Sequence, residues 1–236
     1  MSLKDTTKVI FFDLDNTLWD FERNSYLTLE ELYKKHIEEL DSLRVGCKKF
    51  IEIFELCNDE LWEEYRQGKI NKDILRILRF ERTFKDMDIY NNELARQLDT
   101  EYLIGTSNKP HLIDNAKELL DILYGKYKLG IITNGFTEAQ EIKLKNSGLN
   151  KYFDFIVISE KVGIAKPDPG IIEYALNRWG FQKDSAVFVG DDYMVDMKCA
   201  YSAGITGIWL NRKNQKFDTE AKCISIENLL ELVGMF

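Results

Sequence analysis

Five runs of the chain are apolar and β-branched without polar alternation: "KVIFFDLD", "KLGIITN", "FDFIVIS", "AVFVGDD" and "GITGIWL". Such runs suit parallel strands covered on both faces. Helical spacing lies between them. Ala116, Leu119, Leu120 and Leu123 recur at i, i+3, i+4 and i+7. After "IITNGF", Thr137 and Gln140 have the spacing of a capping box, and Gly148 suits the helix stop. After "KPDPG", Pro169 suits a first helical position, and Ile172, Ala175, Leu176 and Trp179 form one stripe. The alternation predicts an α/β fold, a doubly wound parallel sheet of Rossmann-like type.

The stretch 20–106 breaks this rhythm and contains no strand pattern. Leu29, Leu32, Tyr33, His36, Ile37 and Leu40 form one long stripe, and Phe50, Phe54, Cys57 and Leu61 a second, ending near Gly68. Ile74 and Leu78 mark a third, and Leu94, Leu98 and Tyr102 a fourth. We read 20–106 as an all-helical domain inserted after the first strand, with 1–19 and 107–236 making up the α/β core. His36, on an apolar stripe, reads as a packed core histidine.

The 236 residues are ample for a real core, and 44% apolar with 31% charged is ordinary for a globular protein. A net charge of −8 argues against a nucleic-acid polymer or an anionic membrane as partner. No apolar run reaches the length of a membrane span, and "MSLKDTTK" has no secretory h-region. Cys47, Cys57, Cys199 and Cys223 lie far apart and read as buried thiols of a reducing cytoplasm. Nothing in the residues assigns an oligomeric state.

The candidate chemistry lies at strand ends. The first strand runs into Asp13 and Asp15, the second into Thr133-Asn134-Gly135, and the fourth into Asp191, Asp192 and Asp196; Lys166 follows in "GIAKPDP". In an open α/β sheet, ligands gather at the carboxyl ends of the strands. Clustered carboxylates are tolerable around a hard divalent cation, and oxygen-only donors suit Mg²⁺. A lysine and a hydroxyl beside such an ion are what a phosphoryl group needs for charge neutralisation. Taken singly, each motif reads as a turn, a helix cap or a solvated lysine. Taken together and in this order, they are hard to explain as packing.

That ordered set resembles the haloacid dehalogenase superfamily of phosphohydrolases over almost the whole chain. D-x-D-x-T is Asp13 to Thr17, the second motif ends at Thr133, the third is Lys166, and G-D-x-x-x-x-D runs from Gly190 to Asp196. The helical insert stands where the family places its class-one cap. The resemblance implies that Asp13 attacks phosphorus and that Asp15 serves as acid and then as base. It implies Mg²⁺ held by the Asp13 carboxylate, the Asp15 carbonyl and Asp191, with Asp192 or Asp196 adding to the set directly or through water. Thr133, the amide after it and Lys166 would hold the phosphoryl oxygens of a small-molecule phosphomonoester.

Asp15 argues against the dehalogenases of the superfamily, which lack it. A phospho-acceptor signalling domain is shorter and has no cap, and a phosphomutase needs the same residues. "GIITNGFTEAQEIKLKNSGL" and "LWEEYRQGKI" resemble the pyrimidine 5′-nucleotidase branch. Phosphatases of small sugar or organic-acid phosphates, of the phosphoglycolate and acylneuraminate 9-phosphate kind, share much of this pattern and stand as the alternative. Trp19, Phe21, Trp62 and Tyr65 are candidates for stacking on a base, with packing in the helical domain's core and at its hinge as the competing reading.

Overall fold

The protein is seen in a computed structural model that describes residues 3–40, 46–217 and 223–236. Its strands are β1 (Val9–Phe12), β2 (Lys128–Thr133), β3 (Phe155–Ile158), β4 (Ala186–Gly190), β5 (Thr206–Leu210) and β6 (Ile224–Ile226). They form a six-stranded parallel sheet in the order β3-β2-β1-β4-β5-β6. The described helices are α1 (Leu3–Thr6), α2 (Phe21–Lys35), α3 (Ile37–Leu40), α4 (Cys47–Arg66), α5 (Lys72–Asp86), α6 (Asn92–Asn108), α7 (Ala116–Leu123), α8 (Thr137–Asn146), α9 (Ser159–Val162), α10 (Gly170–Trp179) and α11 (Lys198–Ala203). None is long and apolar enough to cross a membrane.

Period-two alternation divides β1 between two core layers. Ile10 and Phe12 pack with Leu119, Leu120 and Leu123 of α7 and with Leu229 and Leu232 near the C-terminus. Val9 and Phe11 pack with Ile171, Ile172 and Leu176 of α10 and Cys199, Ala200 and Ala203 of α11. Burial on both faces explains why these strands read as continuous apolar runs. Gly130 stands opposite Phe11, where a Cβ would fall 2.7 Å from the ring. The chain fills one side of β1 with β2 and β3 and then crosses to the other side with β4. The strand order therefore reverses between β1 and β4, and such a reversal opens a crevice at the strands' carboxyl ends.

The chain divides into two compact units, one holding the described residues of Met1–Phe21 with Pro110–Phe236, the other Glu22–Lys109. Within the first unit, Asp20 N donates to His111 O (3.1 Å) and Ile113 N to Leu18 O (2.9 Å), joining the two segments beside the insertion. The second unit has its own core, including Leu29, Phe50, Phe54, Phe80, Leu98 and Tyr102.

Four local expectations are corrected. The first helical stripe is divided into α2 and α3 at His36, although His36 N to Leu32 O and Leu40 N to His36 O, both 3.0 Å, keep the helical bonds. His36 is buried, its Nε2 3.1 Å from Glu101 Oε2. On α5 the inward face carries Leu75, Arg79, Phe80, Thr83 and Phe84, while Ile74 is exposed. The reason is Arg79, whose guanidinium is buried against Asp99 and lies 5.0 Å from the Tyr102 ring centre. At α8 no capping box forms: Phe136 is the N-cap, and Gln140 turns elsewhere. All four cysteines are free, with Cys57 and Cys199 buried but Cys47 and Cys223 only half-buried.

Candidate active site

Three neighbouring strand ends supply the site. Asp13 follows β1, and its N–H extends the ladder to Val189 O of β4 (2.9 Å). Thr133 ends β2, and Gly190 ends β4 just before Asp191. Lys166 arrives from the segment before α10. The Asn134 side chain secures that segment by donating to Lys166 O (2.8 Å) and accepting from Lys166 N (2.9 Å). Lys166 Nζ donates to Asp13 Oδ1 (2.6 Å) and Asp196 Oδ1 (2.7 Å), with all three side chains buried.

A turn of π-helix, Tyr193–Met197, delivers Asp196, and Asp192 N donates to Asp196 Oδ2 (3.1 Å). Gly190 makes room for that carboxylate, because a Cβ there would sit 2.6 Å from Asp196 Cβ. Asp191 is oriented from both ends. Thr17 Oγ1 donates to its Oδ1 (3.0 Å), and Trp209 Nε1 donates to its carbonyl (2.8 Å).

Asp13, Asp191 and Asp196 each offer a carboxylate oxygen, and these atoms lie within 4.8 Å of one another. Burial pushes the Asp13 carboxyl up to about 7; Lys166 opposes that rise, and Asp196 and Asp15 add to it. Asp191 is raised well above the usual range by burial and by the charges of Asp196 and Asp13. Asp196 is raised by burial despite Lys166. Burial also works against the Lys166 ammonium, but Asp13 and Asp196 outweigh it and hold the lysine above its ordinary value. With all three ionised, as beside a cation, the carboxylates facing one ammonium would carry about two net negative charges on oxygen donors alone. That donor set fits a hard divalent cation such as Mg²⁺.

Asp15 lies outside that cluster and meets α8 instead. Lys143 Nζ donates to Asp15 Oδ1 (2.7 Å) and Gln140 Nε2 to Asp15 Oδ2 (2.7 Å). Gln140 Nε2 also reaches Thr133 Oγ1 (3.1 Å), linking the Asp15 and Thr133 positions. Sequence reasoning missed both contacts, because it gave Gln140 a capping role and gave Lys143 none. The available signal was their spacing of three, which puts them on one helix face beginning just after Thr133-Asn134-Gly135.

The other sequence candidates separate. Gly135 N donates to Thr133 Oγ1 (3.2 Å). Asp192 is exposed, lies outside the carboxylate cluster, and caps the following turn by accepting from Val195 N (3.0 Å). Trp62 and Tyr65 meet edge to face on α4, ring centres 5.6 Å apart, in the helical unit.

With the geometry in hand, comparison with known proteins decides the family. Residues 10–210 match the model of the haloacid dehalogenase-like hydrolases. The chain belongs to this family. It is 32% identical over 208 residues to the pyrimidine 5′-nucleotidase YjjG of Escherichia coli K12, covering 88% of this chain and 87% of that one. It is 30% identical over 217 residues to the pyrimidine 5′-nucleotidase PynA of Streptococcus pneumoniae, covering 91% and 88%. The solved structure of the HAD-hydrolase YfnB of Bacillus subtilis, bound to magnesium, superposes with a TM-score of 0.85 at 26% identity and 97% coverage of both chains.

Proposed function

We propose that this haloacid dehalogenase-like hydrolase cleaves phosphomonoesters through an aspartyl-phosphate on Asp13. We propose further that it prefers nucleoside 5′-monophosphates, pyrimidine ones ahead of purine ones. In class it is a phosphoric monoester hydrolase. The observation that carries the reading is Lys166 bridging the buried Asp13 and Asp196, with the half-buried Asp191 in the same cluster at the sheet's reversal point. The nucleotide preference rests on the two nucleotidase relatives.

In the first step an Asp13 carboxylate oxygen bonds to phosphorus while the bond to the leaving oxygen breaks. Asp15 gives that oxygen a proton. In the second step water attacks phosphorus, Asp15 takes its proton, and the bond from phosphorus to Asp13 breaks, returning the carboxylate. Lys166 places an ammonium beside the developing charge, and Thr133 with the amide after it holds phosphoryl oxygens. The Asp13 carboxylate, the Asp15 carbonyl, Asp191 and Asp196 would hold Mg²⁺, which supplies positive charge against the phosphoryl oxygens. Asp192, occupied as a cap, is left out of that set.

The test compares kcat/KM for uridine, thymidine and adenosine monophosphates with small phosphosugars and phosphoglycolate. The reading expects the pyrimidine nucleotides to lead. A phosphosugar or phosphoglycolate exceeding every nucleotide tenfold, about 1.4 kcal/mol of transition-state preference, would overturn the nucleotidase assignment and leave the phosphatase assignment standing.

A further inference from the structure

We infer that Lys143 and Gln140 are positioning residues for the reaction, acting through Asp15. The inference rests on Asp15 serving as the acid–base group of the proposed function. Each takes a different oxygen of the same carboxylate, Lys143 on Oδ1 and Gln140 on Oδ2, both at 2.7 Å. Two donors on two oxygens fix the plane of a carboxylate, not only its distance. A carboxylate has about four lone-pair sites, so each oxygen keeps one with which to meet a leaving oxygen or a water.

The clamp is built and not incidental. Gln140 is fully buried, and Lys143 is 6% exposed. A buried ammonium is costly without compensation, and here the Trp19 ring lies 4.5 Å from Nζ and the Phe21 ring 5.7 Å. Gly135 keeps the ground beside Gln140 clear, because a Cβ at Gly135 would overlap the Gln140 amide. The second contact of Gln140, to Thr133 Oγ1, references the acid–base group to a residue assigned to hold the phosphoryl group. Because α8 starts four residues after β2 ends, the strand that supplies Thr133 also sets where Lys143 and Gln140 lie.

The experiment is a double-mutant cycle between Lys143→Met and Asp15→Asn, read with two substrates. One is a nucleoside 5′-monophosphate, whose alkoxide leaving group needs a proton; the other is p-nitrophenyl phosphate, whose leaving group does not. Lys143→Met should lower kcat on the nucleotide about 10–100-fold, the scale of a misplaced catalytic group. It should change kcat less on the aryl ester and leave KM nearly unchanged, and Lys143→Arg should recover part of the loss. In the Asp15→Asn background the same change should cost nothing further. Gln140→Leu, which keeps the charge on α8, provides a second reading if Lys143→Met does not fold. Equal losses on both substrates, or losses that add to those of Asp15→Asn, would make the pair structural support and overturn the inference. An Asp15→Asn enzyme indifferent to leaving group would instead remove the acid role of Asp15 itself. That outcome also defeats the inference, but through the reading beneath it.

Discussion

Asp13 lies between an ammonium and two carboxylates, and each neighbour bears on what a substitution there does. Asp13→Asn keeps the shape but removes both the anionic nucleophile and the negative charge that Lys166 meets at 2.6 Å. Turnover should be abolished while circular dichroism and the melting profile still show a folded protein. Substantial activity in the purified variant would dismiss Asp13 as nucleophile. Lys166→Met should be nearly as severe, since it leaves the buried carboxylates of Asp13 and Asp196 without their shared cation. At this scale the candidate site was legible wherever a polar side chain stands at a strand end: Asp13, Thr133 and Asp191 announce themselves by ending apolar runs. It was illegible where the side chain leaves a helix sideways. Gln140 and Lys143 sit in α8 at positions that capping and solvation explain equally well, and only the fold brings Asp15 to them.

Among elements, α5 is the instructive helix. Its buried face includes a charged residue, so apolar spacing alone pointed to Ile74 and Leu78 and missed Leu75, Phe80 and Phe84. Arg79 is tolerated there because Asp99 of α6 accepts from both its Nε (3.2 Å) and its Nη2 (2.5 Å), while Arg76 Nε holds the other carboxylate oxygen (3.2 Å). Asp99→Ala would leave the Arg79 charge buried without its acceptor. It should destabilise the protein by about 3–5 kcal/mol, the usual loss when one partner of a buried pair is removed. Replacing Arg79 and Asp99 together by apolar residues of similar volume should cost much less, and chemical denaturation of the three variants measures the difference. If the single and double variants unfolded alike, the pair would not be the reason for the buried arginine. The three-residue β6 was unreadable for a simpler reason, since two of its residues are exposed and leave almost no apolar run.

For the molecule as a whole, the carboxylate cluster couples the active site to stability. In the metal-free fold the Asp13 carboxyl sits at about 7 against an ordinary 3.8, so folding favours its protonated form. That contribution is fully present below about pH 4 and is lost as pH rises through 7. Asp191 and Asp196 are shifted the same way and add to the trend. With excess EDTA, the melting temperature should therefore fall between pH 5 and pH 8, and added Mg²⁺ should recover most of the loss at the upper end. A melting temperature that holds or rises over that range without metal would contradict the electrostatics of the cluster. Activity in the same EDTA solutions should be absent, and full turnover there would rule out a metal-dependent reaction.

The hydrogen bonds from Asp20 to His111 and from Ile113 to Leu18 close the base of the helical insertion on the catalytic side. Their consequence is historical as well as mechanical. Once the two ends of an inserted segment are fastened, lengthening it is cheap, because doubling a loop adds only about 0.6 kcal/mol of closure entropy. A lineage can therefore enlarge, trim or exchange what lies between Asp20 and His111 while the β1 loop stays in register with β2 and β4.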